Sequence, residues 1–118
     1  YKYILIMEKI DLTYLNSITD GNKEFITELI DIIKAQLPEF IEDFNNAYAN
    51  KDNEALSKIA HKAKSTIAIM GLQSLTDLLN NLEQEAANNE NTEAYESYIK
   101  EFEVSVKDGL QQLEAIFN

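Results

Sequence analysis

One histidine stands in the chain, His61, and what the sequence can do chemically turns on it. Ser57 and Ser65 lie four residues to either side, Lys58 and Lys64 three residues to either side, and Lys62 directly after it, with Ala68 seven residues on. Residues three and four apart are neighbours on a helix surface. This spacing therefore sets small side chains above and below an imidazole and ammonium groups at its flanks. Small neighbours leave the ring open to another protein's surface. A free imidazole has a pKa of about 6.5, so it is largely neutral and nucleophilic at neutral pH. The set suits a histidine that accepts or holds a phosphoryl group, whose oxygens need donors close by.

The surrounding pattern says which way that ring faces. Leu56, Ile59, Ala60, Ala63, Ile67 and Met70 predict an amphipathic helix that starts at Asp52 or Asn53 and is punctuated by Gly71. At about 100° per residue this stripe clusters within about 60° of Leu56, whereas His61 falls about 140° away. A histidine satisfied inside a core would lie on the stripe. This one points outward, mid-helix and clear of the terminal dipole charges. Lone exposed histidines are most often silent and surface lysines merely solvated; the coincidence with a patch of small residues is what argues for chemistry.

Other elements must position that helix. Asp11 reads as the N-cap of a short helix through Leu12, Leu15 and Ile18, stopped near Asp20-Gly21. From about Asn22 to about Asn50 a long stripe follows: Phe25, Leu29, Ile32, Ile33, Leu37, Phe40, Ile41, Phe44 and Tyr48. Pro38 interrupts its hydrogen bonds but not its phase, which predicts one kinked helix. Leu72, Leu75, Leu78, Leu79, Leu82 and Ala86 carry the next helix, which ends in the run from Asn88 to Asn91. Thr92 caps a last one bearing Tyr95, Ile99, Phe102, Val106, Leu110, Leu113 and Phe117. The expected architecture is all-α: an antiparallel up-and-down four-helix bundle, residues 11–118, with the short first helix as a lid. Residues 1–10 read as an N-terminal extension of uncertain structure, and Met7 is a candidate start that would set residues 1–6 apart.

Composition removes most other chemistries. With no cysteine there is no thiol nucleophile, disulfide or thiolate metal site, and one histidine is too few for zinc's usual ligands. Three glycines are too few for a nucleophile elbow or a phosphate-cradling loop. The 118 residues are enough for one domain with a real core. Asp and Glu number 21 against 10 Lys and Arg, a formal net charge of −11, which disfavours nucleic acid and anionic membrane as partners. The longest apolar run, Tyr3 to Met7, is far short of the roughly 18–20 residues that span a bilayer. A soluble cytoplasmic monomer is the expectation.

The run Ala60-His61-Lys62-Ala63-Lys64-Ser65, then Gly71, Leu72, Leu75, Leu82 and Glu83, resembles the histidine-containing phosphotransfer (HPt) domain. That family carries a histidine, a lysine three residues on, a small residue next and a glycine ten residues after the histidine. Here these are His61, Lys64, Ser65 and Gly71, with the family's Leu-Glu pair at Leu82-Glu83. The likeness extends from about Asp11 to Phe117. It implies a four-helix bundle that exchanges a phosphoryl group with a receiver-domain aspartate of a response regulator or hybrid sensor histidine kinase, without kinase activity of its own. By the same resemblance His61 is the acceptor, Lys64 neutralises phosphoryl oxygens and Gly71 serves the turn and helix packing. Ser57, Lys58, Lys62, Ser65 and Ala68 form the supporting and docking surface. Ser65 departs from the family's usual glycine, which narrows a receiver's approach, and Ala63 stands where a larger apolar residue is usual.

Phosphoryl transfer needs in-line positioning and charge stabilisation more than covalent help from the protein. The chain offers a nucleophile and cations but no evident carboxylate cluster at His61, so no cofactor is expected here and the magnesium is assigned to the partner receiver. A different class of reading is a helical interaction module without chemistry. A small enzyme has least support, because no second acid–base group sits at helical spacing from His61. Tyr95, Tyr98 and Phe102 read as core and rim packing. The acidic patches Glu39-Glu42-Asp43 and Glu83-Glu85 read as solvated faces, with orientation of a group near His61 as the alternative for Glu83.

Overall fold

The Asp11 carboxylate accepts hydrogen bonds from the Thr13 N–H (3.0 Å) and hydroxyl (2.7 Å), and the first helix, α1, runs Thr13–Thr19. In this computed structural model, which describes residues 8–117, every element is helical and no strand occurs among the described residues. Asp11 does its work one residue ahead of the N-cap position, which Leu12 occupies. Residues 1–6 and Met7 lie outside the described residues.

Helix α2, Lys23–Ala49, opens with the Asn22 side chain accepting from the Phe25 N–H at 3.0 Å. It runs unbroken through Pro38, whose ring lies on the exposed side. Its buried face differs from the expected stripe. Ile26, Ile30, Ile33, Leu37, Phe40, Phe44 and Ala47 are buried, while Phe25, Ile32 and Tyr48 are exposed. Phe25 and Ile32 are one residue out of step with Ile26 and Ile33, a turn of about 100°. Apolar residues line more than half of this helix, so periodicity left its inward direction underdetermined. Ile18 and Phe117, also expected on buried stripes, are exposed.

Asp52 caps α3, Asn53–Met70, by accepting from the Ala55 N–H at 3.0 Å. Its core side is Leu56, Ala60, Ala63, Ile67 and Met70, all fully buried. Gly71 ends it in the left-handed region at φ 73°, with its N–H on the Ala68 carbonyl and the Leu72 N–H reaching back to Ile67. A side chain here would also collide with the Asp11 carbonyl, and the Asp11 N–H donates to the Met70 carbonyl at 2.9 Å. Glycine at this turn therefore lets the chain entering α1 close over the end of α3.

Helix α4, Gln73–Ala87, has no capping side chain of its own at Leu72. Glu8 supplies one from a distance: its carboxylate accepts from the Ser74 and Leu75 N–H groups at 2.9 and 3.3 Å. Gln112 then holds the Glu8 carbonyl and the Ile10 N–H, each at 2.8 Å. Residues 8–10, assigned from sequence to the extension, are thus anchored to the helices. Asn91 adopts φ 53°, and the expected cap Thr92 instead begins a 3-10 turn, Thr92–Ala94. The last helix, α5, is Tyr95–Phe117.

Helix α3 packs most extensively on α4; α2 packs on α3 and α5, α4 on α5, and α1 on α3 and α2. Alanines at 47, 60, 63 and 86 in the core let the backbones come close. Phe44 of α2 meets Phe102 of α5 edge to face, with centroids 5.0 Å apart. Tyr95 and Phe102 are buried and Tyr98 half-buried, as their packing role requires.

Candidate functional site

Helix α3 presents His61 outward from its middle, with 69% of the side chain exposed. Ala60 and Ala63 turn inward from either side of it. The ring thus faces outward, as its place off the apolar stripe predicts. Its partner comes from α4: His61 Nδ1 lies 2.8 Å from Glu83 Oε2. An ionised carboxylate can only accept, so Nδ1 carries the proton and donates. In the neutral ring this leaves the lone pair on Nε2.

Glu83 is the residue sequence reasoning undervalued. It joins two groups of α3, because Lys64 Nζ lies 2.6 Å from its other carboxylate oxygen. Glu83 Oε1 is buried, and this ammonium is its counter-charge. The Lys64 ammonium foremost, then the His61 contacts, hold the Glu83 carboxyl below its ordinary value of 4.5, against the opposing effect of partial burial. Ser57 fixes the backbone beneath by donating its hydroxyl to the Glu83 carbonyl at 2.8 Å. Lys64 also donates to Asn80 Oδ1 at 3.4 Å. The solvated face expected for Glu83-Glu85 is corrected: Glu85 accepts from the Tyr98 hydroxyl at 2.9 Å and from Asn91 at 3.2 Å. Both carboxylates are tied to neighbouring elements.

The other expected site residues separate into distinct places. Lys58, Lys62, Ser65 and Ala68 are exposed around His61. Lys58 pairs with Glu54 at 3.1 Å, and the Ser65 hydroxyl donates to the Lys62 carbonyl at 3.2 Å. Ser57, expected on the docking surface, is half-buried in the α3–α4 seam because its hydroxyl is used there. Gly71 stands at the far end of α3 and shapes the turn, not the ring's surroundings. Glu39, Glu42 and Asp43 are exposed on α2. Among the described residues no three His, Asp or Glu side chains converge as metal ligands, and no helix is long and apolar enough to cross a membrane.

A family model for the Hpt domain matches residues 28–116, from within α2 to near the end of α5. The chain belongs to the Hpt domain family. Searches of curated proteins and of solved structures returned no match. Hpt domains are phosphocarrier modules of two-component signalling, not kinases, and they interact with receiver domains and kinases in phosphorelays. Within this Hpt domain, His61 is an exposed imidazole with one ring nitrogen held against Glu83.

Proposed function

We propose that this Hpt domain is a phosphorelay intermediate in which His61 Nε2 accepts a phosphoryl group from a receiver-domain aspartate and returns it. One observation carries the reading: Nδ1 is 2.8 Å from Glu83 Oε2 while the ring stays 69% exposed. The Nε2 lone pair forms the N–P bond as the acyl O–P bond of the donor aspartyl phosphate breaks, and the aspartate carboxylate leaves with the electron pair. The ring becomes a phosphorylated imidazolium whose Nδ1 proton stays on the hydrogen bond to Glu83. That carboxylate stabilises the positive charge as it develops. On donation the same steps run backward, and no proton has to enter or leave.

The surrounding fold supports this role as an antiparallel up-and-down four-helix bundle with α1 as its lid. Two cross-helix pairs argue that α3 and α4 are antiparallel, Ser57 with Glu83 and Lys64 with Asn80, where a rising number on one helix meets a falling number on the next; Gln36 with Thr66 ties α2 to α3. We read residues 11–118 as one domain onto which residues 8–10 are docked. Magnesium belongs, on this reading, to the receiver's site, and the cysteine-free chain suits the cytoplasm.

The test is transfer. Incubation with a phosphorylated receiver domain is expected to label this protein with an acid-labile, base-stable phosphate, and His61→Gln is expected to abolish labelling with the helical content unchanged. Labelling that persists in His61→Gln would overturn the assignment.

A further inference from the structure

The lysines around His61 are not equivalent. Lys64 Nζ lies 2.6 Å from Glu83 Oε1, also reaches Asn80, and its side chain is only 26% exposed. It is held in the α3–α4 seam by the same carboxylate that receives the Nδ1–H. Nδ1 and Nε2 project from opposite sides of the imidazole ring, so a group on Nε2 points away from Glu83 and with it from Lys64. Lys58 has Glu54 as its partner at 3.1 Å. Lys62 is exposed and makes no ion pair among the described residues. It lines the open groove beside the histidine, shared with Ser57, Lys58, His61 and Glu83, and also a second groove lying against Gln36 and Phe40 of α2. Glu39 and Asp43 border the second groove without approaching Lys62 to ion-pair distance.

We infer that Lys62, rather than Lys64, is the side chain that contacts the phosphoryl oxygens on His61, and that Lys64 acts only by holding Glu83. The inference rests on His61 being the acceptor. The terminal phosphoryl oxygens keep their negative charge while the N–P bond forms and the donor's bond breaks. An ammonium on the Nε2 side therefore stabilises the loose transition state and the product together. The two cations divide the work: one fixes the carboxylate that fixes the tautomer, the other meets the cargo.

Phosphoramidate, a small phosphoryl donor, tests this without receiver docking; its N–P bond breaks as Nε2 attacks, and ammonia leaves with a proton from solvent. The intact protein and its Lys62→Met, Lys62→Arg and Lys64→Met variants are compared for phosphorylation rate, with His61 nitrogen NMR shifts as the second readout. Lys62→Met is expected to slow labelling about 10-fold, the equivalent of one charge-assisted hydrogen bond, with the tautomer unchanged. Lys62→Arg restores most of the rate. Lys64→Met shifts the balance away from the Nδ1–H tautomer. A Lys62→Met protein labelled at the wild-type rate, or a Lys64→Met protein slowed with its tautomer intact, overturns the assignment of Lys62. Failure of the wild-type protein to take phosphate on His61 from either phosphoramidate or a receiver is a separate result that overturns the acceptor reading together with this one.

Discussion

Glu83 is the partner on which the orientation of His61 depends. Removing it with Glu83→Ala releases Nδ1, and the ring is expected to drift toward the tautomer that protonates Nε2, blocking the lone pair. Carboxylates that orient metal-bound histidines contribute about 10–100-fold to activity; by analogy a loss of that order in receiver-driven labelling is the expected result, read beside the nitrogen shifts of His61. The same carboxyl carries a pH signature. Its folded pKa is lowered mainly by Lys64, so the stability its contacts add is whole above the ordinary value of 4.5 and is lost as pH falls through the lowered folded value. The stability difference between wild type and Glu83→Gln should therefore narrow as pH is taken from about 6 to about 3, followed by urea unfolding. His61 was legible in sequence because its direction depends on one helix and a fixed rotation per residue. Glu83 was legible only as an alternative to a solvated face, because its contact crosses 22 residues and depends on the register of α3 against α4, which no local spacing states.

Individual helices show the same division. Whereas the caps expected at Asp11 and Thr92 fall one residue out of place, the helix starts near Asn22 and at Asp52 or Asn53 and the stop at Gly71 were readable, since each is a local demand of a helix end. The inward side of α2 was not: Phe25 and Ile32 are as apolar as Ile26 and Ile33, and only the positions of α3 and α5 choose between them. The capping of α4 by Glu8 was likewise hidden, as it spans the chain. Gly71→Ala meets both the left-handed backbone and the Asp11 carbonyl. A loss of at least about 1–2 kcal/mol is expected in equilibrium unfolding, with the α1 segment loosened first in hydrogen exchange. Pro38 works the other way. It removes an N–H from the middle of α2 on an exposed side, so Pro38→Ala should stabilise the protein, by up to about 3 kcal/mol, in the same unfolding assay.

For the whole molecule, charge and core act in opposition. The net charge of −11 makes the folded chain repel itself, while the four long helices bury Phe44, Leu79, Phe102 and their neighbours almost completely. Screening the repulsion should raise the midpoint of thermal unfolding between about 10 mM and about 500 mM sodium chloride, with no change in helical content. The cations that α3 gathers around His61 stand out against this negative surface, and that contrast gives an acidic domain a place to hold a phosphoryl group. The central claim is that the outward nitrogen of one imidazole takes the phosphate. Phosphorus-coupled nitrogen NMR after transfer from a phosphorylated receiver tests it most directly: the account predicts a single phosphohistidine, at Nε2 of His61, with the proton retained on Nδ1. Phosphate bonded to Nδ1, or to any other residue, would contradict it.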